Sequence, residues 1–328
     1  MREKVTATIL HGAYGDVYEQ ILCLKHYAAS HPEAELRLFA ATTTRLEAFQ
    51  VLDLSFARSF GLWSEIEKQP EIEHFHQFQV HDAELKSDVL AHLSPAALSK
   101  IDREHNNLPW DYMRKNGLIP EPQRYRLTLT LAGERELSAV AARNNIPEAI
   151  WSRPTISFLW RYRKGSGAIN SFGQKSEQEL VAGYSKMFRG LIERFGCHVL
   201  VCGMNVVTDE TNRARTDNKY PPFGLELPPD SVTYMKGLSW PLELEIASRA
   251  TIACGHSSGF TEGLWLKRGR NTILMDAQPH YLAKIAYHRM PLFHLNRPWS
   301  LAQAAFQRSP ESYGRRMAAI LRRAGAGK

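Results

Sequence analysis

The chain has little cysteine and no spacing that would pair it. Its four cysteines, Cys23, Cys197, Cys202 and Cys254, lack C-x-x-C spacing. That excludes a zinc knuckle and a disulfide framework, and leaves small buried apolar residues as their role. No D-x-D occurs anywhere, so nothing in the sequence requires a metal-bridged diphosphate. The turn after the first expected strand lacks G-x-G-x-x-G, so a dinucleotide fingerprint is not supported there. No run of five or more Lys and Arg is present, so the net charge of +7 does not point to nucleic acid. The apolar run within "MREKVTATILHGAYGD" is short and interrupted by Thr6 and Thr8. Neither a signal peptide nor a membrane span is expected, and the protein is read as cytoplasmic, peripheral at most to the inner face of the membrane.

What is present is room for a core and an alternating pattern. At 328 residues the chain accommodates two ordinary domains or one large one, and its 44% hydrophobic and 23% charged residues place it with folded globular proteins. Strands are expected at "VTATIL" (5–10), "ELRLFAA" (35–41), "RYRLTLTL" (124–131), "TISFLW" (155–160), "CHVLVCG" (197–203), "SVTYMKG" (231–237), "ATIACG" (250–255) and "NTILMD" (271–276). Helices are expected from about Val17, over "RLEAFQVL" after Thr44, over "SPAALSKI" with Pro95 at its first position, and over 133–145. Another follows Ser239, with Pro241 in its first turn, and a last one covers "SPESYGRRMAAILRRA". The clearest helix carries a capping box of Ser176 and Glu179, an apolar face of Leu180, Tyr184, Met187, Leu191 and Phe195, and a stop at Gly196. Residues 64–115 read as helix and loop. Alternating strand and helix implies parallel sheets with right-handed crossovers, hence an α/β chain of two domains divided near residue 150.

In open parallel sheets, ligands bind beyond the carboxyl ends of the strands, and four such ends carry unusual residues. "GHSSG" (255–259) spells G-x-S-x-G, which would make Ser257 a hydrolase nucleophile served by Asp276 and one of His280, His288 or His294. Only a short stretch with one obvious strand follows it, however. As an anion cradle the same turn works differently: Gly255 and Gly259 allow close backbone approach, Ser257 and Ser258 donate hydroxyl hydrogens, and the following helix start adds positive potential. Glu262, one turn on, either accepts from sugar hydroxyls or serves the helix dipole. In "FLWRYRKGSG", Arg161, Arg163 and Lys164 crowd one strand end, where an anion such as a diphosphate would relieve their repulsion; a solvated basic loop is the competing reading. "HGAYGD" places Asp16 at a helix start, with the glycines, Gly15 among them, clearing space above it, and plain N-capping competes. Beyond the strand ending at Gly203, Asn205 and Glu210 either line a nucleobase or are ordinary loop polarity.

"GAYGDVYEQILCL" early and "LELEIASRATIACGHSSGFTEGLWLKRG" late, in that order, resemble the GT-B glycosyltransferases, most closely the ADP-heptose-type heptosyltransferases. The resemblance implies two Rossmann-like domains facing across a cleft, an acceptor-side domain over 1–150 and a nucleotide-sugar domain over 151–300. A terminal helix at 301–328 would pack back toward the first. Asp16 matches the family's acidic base, Arg161 and Lys164 fall where it keeps diphosphate-binding cations, and Ser257, Ser258 and Gly259 fall on its small-residue turn. His256 departs from the family pattern. The "FLWRYRKG" loop also resembles the basic loop of GT-B fucosyltransferases, which leaves the base open. The implied activity is inverting, metal-independent transfer of a hexosyl or heptosyl group from a nucleoside-diphosphate sugar to an acceptor hydroxyl. The acceptor is a glycan, a lipid-linked molecule or a small molecule. Arg163 joins the diphosphate site, Gly15, Gly203, Asn205, Glu210, His256 and Glu262 would contact sugar or nucleoside, and no cofactor beyond the donor is expected. A serine hydrolase and a non-catalytic nucleotide-sugar-binding protein are the alternatives.

Overall fold

The computed structural model describes residues 4–12, 14–42, 46, 54–78, 89–101, 109–118, 148–160, 177–202, 224–235, 240–256, 261, 263–264, 268, 271–275 and 309–325. The chain divides into two compact units, Met1–Thr128 and Leu129–Lys328.

In the first unit β1 (Lys4–Leu10) is buried from Thr6 to Leu10, Thr6 and Thr8 included, as a strand of a parallel sheet covered on both faces is. Next come α1 (Tyr14–Ser30) and β2 (Ala34–Ala40). The helix starts three residues before the expected Val17. Gly15 sits in its first turn, where backbone N–H groups have no intrahelical partner in any case. Then follow β3 (Ser59–Leu62), a 3-10 turn at Trp63–Lys68 and β4 (His74–Phe75). The four strands lie in the order β3-β2-β1-β4, all parallel.

The expectation of helix and loop from residue 64 is corrected here, because β4 is a sheet strand. It escapes pattern reading because only His74 and Phe75 pair through the backbone, opposite Thr6 and Ala7. Glu73 N and His76 N donate to Val5 O and Ala7 O at 3.0 and 2.9 Å. The next rung is a side chain: the Gln77 amide donates to Ile9 O at 2.9 Å and accepts from Ile9 N at 3.1 Å. Two short helices complete the described unit. The first, α2 (Pro95–Ser99), is capped as expected, with Ala97 N donating to Ser94 Oγ at 3.3 Å; the second is α3 (Pro109–Lys115). Of the expected helix at 45–52 only Leu46 is described, and it is helical. The expected strand at 124–131 and helix at 133–145 lie outside the described residues.

The second unit contains β5 (Thr155–Leu159), α4 (Glu177–Phe195), β6 (His198–Cys202), β7 (Val232–Tyr234), α5 (Trp240–Ser248), β8 (Ile252–His256), β9 (Thr272–Met275) and α6 (Pro310–Arg323). Its strands lie in the order β7-β6-β5-β8-β9, again all parallel. The expected apolar face of α4 is the buried one. Leu180, Tyr184, Met187, Leu191 and Phe195 all enter the core beside Phe158 and Val201, each such burial contributing about 1.5–3 kcal/mol. Gly196 ends the helix with φ +63°, a conformation that strains any residue with a Cβ. The terminal helix α6 starts at Pro310 behind a Ser309 cap, whose Oγ accepts from Ser312 N at 3.2 Å. Its described packing is against α4. No helix among the described residues is long and apolar enough to cross a membrane.

Candidate active site

Both sheets reverse their order of strand addition, between β1 and β4 in the first and between β5 and β8 in the second. Such a reversal opens a crevice at the carboxyl ends of the two strands, because their outgoing connections run to opposite faces. In sequence, Asp16 follows β1, Arg161, Arg163 and Lys164 follow β5, and Ser257, Ser258 and Gly259 follow β8, whereas Gly203, Asn205 and Glu210 follow β6, one strand away from the reversal.

In the first unit, His11 and Gly12 leave β1, and Gly12 takes φ +86°, so this turn needs its first glycine for backbone conformation. Asp16 is the third residue of α1, inside its first turn and half-buried. The N-capping reading is thereby corrected, since the capping position precedes Tyr14. A carboxylate in the first turn is favoured by the helix dipole. Gly15 precedes it within the helix. Around this corner lie buried polar groups that sequence reasoning missed: His11 (2% exposed), Glu19 (4%), Gln20 (0%), His76 (1%) and Gln77 (2%). The signal was available in "VYEQILCL", where Glu and Gln stand inside a run that is otherwise apolar.

In the second unit, Leu159 lies opposite Gly255 in the pairing of β5 with β8. The chain therefore leaves both strands at the same end, from Trp160 and from His256. Their rings meet edge to face at 5.2 Å between centroids. Phe158 and Tyr184 close the box around the imidazole at 5.9 and 5.5 Å, and the Tyr184 hydroxyl lies 3.1 Å from His256 Nε2. The sequence reading gave His256 to the sugar or nucleoside; the structure buries its ring, 7% exposed, among these aromatic residues. The His256 carbonyl accepts from Thr261 Oγ1 at 2.8 Å, which ties together the residues on either side of 257–260.

Gly255 is accounted for by packing and not by a ligand. A Cβ there would lie 2.6 Å from Leu159 Cβ and 2.9 Å from Thr261 Oγ1. Ser257, Ser258, Gly259 and Glu262 lie outside the described residues, as do Arg161, Arg163, Lys164, Gly203, Asn205 and Glu210. So do Asp276, His280, His288 and His294 of the hydrolase reading.

All four cysteines are free and buried. Burial pushes the thiols of Cys23, Cys197, Cys202 and Cys254 above their ordinary range, so they carry no nucleophilic role. Among the described residues, no three His, Cys, Asp or Glu gather as a metal would need.

No protein-family model matches the chain, and no curated protein matches it in sequence. Solved structures do match. The glycosyl transferase family 9 protein from Veillonella parvula DSM 2008 is 11% identical, with a TM-score of 0.50 over 84% of this chain and 81% of that one. The ADP-heptose LPS heptosyltransferase II of E. coli is 13% identical, with a TM-score of 0.54 over 98% of this chain and all of that one (100%). The chain has the GT-B fold. Two parallel α/β sheets define that fold, and the GT-B likeness extends through both units. At these identities the likeness concerns architecture; the chemistry must be argued from this chain's own residues.

Proposed function

We propose that the protein is a glycosyltransferase that moves a hexosyl or heptosyl group from a nucleoside-diphosphate sugar to an acceptor hydroxyl, with inversion and without a metal ion. The carrying observation is positional. On a GT-B fold, the acidic residue after β1 and the basic and hydroxyl-rich segments after β5 and β8 all follow strands that flank a reversal of sheet order. In this reading the acceptor oxygen attacks the anomeric carbon as its proton passes to the Asp16 carboxylate, and the bond from that carbon to the diphosphate oxygen breaks. Arg161, Arg163 and Lys164 take up the charge that develops on the departing nucleoside diphosphate, and Ser257, Ser258 and the backbone at Gly259 donate hydrogen bonds to it. These cations serve in place of a bridging metal. Gly203, Asn205 and Glu210 serve the nucleoside side, and Glu262 the sugar or ribose. Gly15 leaves room for the sugar beside Asp16. The acceptor is a glycan, lipid-linked or small molecule on the cytoplasmic side, and no cofactor beyond the donor takes part.

A thermal-shift panel of ADP-, GDP-, UDP- and TDP-sugars should single out one donor nucleotide; a panel with no stabilising member sinks the reading. With that nucleotide, Asp16→Asn is expected to abolish transfer while leaving nucleoside-diphosphate affinity within about twofold. Arg161→Ala is expected to weaken that affinity about tenfold in calorimetry, the loss of one charge-assisted contact. Unchanged affinity in Arg161→Ala removes the phosphate cradle from the mechanism.

A further inference from the structure

The buried side chain of Gln20 reaches across the first strand-to-helix turn. Its Nε2 donates to His11 O at 2.8 Å and to Asp16 O at 3.1 Å. The second bond is an ordinary contact one helical turn back. The first is not helical at all, since it joins α1 to the residue that leaves β1. The amide oxygen of Gln20 has no hydrogen-bond partner among the described residues, although the residue is 0% exposed. A buried acceptor without a donor is costly, and an apolar side chain of the same length would fill the space without that cost. Stability therefore does not explain the amide. What its two bonds accomplish is a tie between the end of β1 and the first turn of α1, across a turn with Gly12 in the left-handed region.

The strand end is itself held. The Gln77 amide brackets Ile9 with two hydrogen bonds, and Thr8 Oγ1 donates to His76 O at 2.6 Å. His11 Nδ1 lies 3.2 Å from Ile9 O, so a run of contacts leads from the end of β4 through Ile9 and His11 to Gln20 and on to the backbone of Asp16.

We propose that Gln20 is the positioning residue for Asp16, and that Gln77 fixes the strand against which it positions. The proposal rests on the reading of Asp16 as the base. A misplacement of about 1 Å at a catalytic group can cost on the order of a hundredfold in rate, so the bridge governs kcat and leaves substrate affinity alone.

The test is hydrolysis of the nucleotide sugar that most stabilises the wild-type protein in the four-nucleotide panel. Water acts as acceptor: its oxygen bonds to the anomeric carbon, its proton passes to Asp16, and the nucleoside diphosphate leaves and is assayed. Gln20→Met keeps the length and removes both donors; Gln20→Asn keeps the amide but is one methylene too short to bridge both carbonyls. Gln20→Met is expected to lower kcat roughly 10- to 100-fold, with KM within about twofold and the melting temperature within about 3 °C. Gln20→Asn should fall between it and wild type, and it decides the matter if Gln20→Met does not fold. Should kcat of Gln20→Met stay within about twofold while Asp16→Asn is inactive, Gln20 has no positioning role and the base assignment stands. A kcat loss that only tracks a lost folded fraction also overturns the proposal. No hydrolysis of any of the four donors by the wild-type protein overturns the assignment of Asp16, and the role of Gln20 with it.

Discussion

His198, the first residue of β6, shows how one side chain can report on folding at the sheet end opposite the proposed chemistry. An Arg153 guanidinium nitrogen lies 2.6 Å from its Nδ1, and its Nε2 lies 2.9 Å from Thr233 Oγ1. A guanidinium only donates, so Nδ1 must be bare, and the neutral ring then donates from Nε2 to Thr233. Burial first and the Arg153 charge second lower the imidazole pKa to about 4, with the Asp230 backbone opposing them. Unfolded, it titrates near 6.5. Above that value neither state binds the proton, and His198 adds no pH dependence. As pH falls below it, the unfolded chain takes up a proton that the folded ring refuses, so stability drops until about pH 4 and then levels. Between pH 7 and 5 the loss is about 2 kcal/mol at roughly 1.4 kcal/mol per unit. His198→Gln can still accept from Arg153 and donate to Thr233, and should remove that slope. Urea unfolding of both proteins at the two pH values checks this, and parallel slopes would refute it. Single residues were only partly legible in the sequence. Gly255 looked like a place for a ligand to approach, but the space above it is taken by Leu159 and Thr261, which the sequence alone does not bring near.

At the scale of elements, long periodic segments were readable and short ones were not. The buried face of α4 and the strands β5, β6 and β8 follow from apolar spacing, because each is long enough or apolar enough for burial to dominate its composition. In contrast, β4 consists of two residues extended by the Gln77 side chain, and no periodicity can announce that. The packing of α6 on α4 was also invisible, since it depends on two glycines meeting partners far away in sequence. A Cβ at Gly183 would lie 3.0 Å from Pro310 Cγ, and one at Gly314 would lie 2.9 Å from Met187 Cγ. The helices therefore sit close because neither glycine carries a side chain. Gly314→Val must force α6 off Met187 or shift that side chain out of its rotamer, at a cost of about 1–3 kcal/mol. The expected result is a lower urea midpoint together with faster proteolysis at the C-terminal helix. Arg315→Ala, at an exposed position of the same helix, serves as the comparison for a change outside this contact. Equal midpoints for Gly314→Val and wild type would mean that the contact tolerates the added volume.

For the whole molecule, sequence order carried more than sequence identity. Two strand-rich halves, one with an acidic turn after its first strand and the other with basic and hydroxyl-rich turns after its own strands, were enough to indicate a GT-B architecture that neighbours of 11 and 13% identity share. Sheet order could not be read, because it is decided by crossovers whose loops carry no periodic signal. The charge balance was readable from the outset: 41 Lys and Arg against 34 Asp and Glu. A surplus of seven positive charges on a chain proposed to bind a nucleoside diphosphate attracts the anion over distances longer than any hydrogen bond. That long-range part is screened by salt, whose Debye length falls from about 10 Å at 0.1 M to about 3 Å at 1 M. Contacts between guanidinium groups and phosphate oxygens are screened less, because water and ions are excluded from them. Raising NaCl from about 0.05 to about 0.5 M should therefore weaken nucleoside-diphosphate binding severalfold, mostly through a slower on-rate, and leave the parent nucleoside unaffected. Stopped-flow binding of both ligands separates the two contributions. If the nucleoside and the diphosphate respond to salt alike, the positive surplus does not act on the phosphates, and Arg161, Arg163 and Lys164 lose their proposed part.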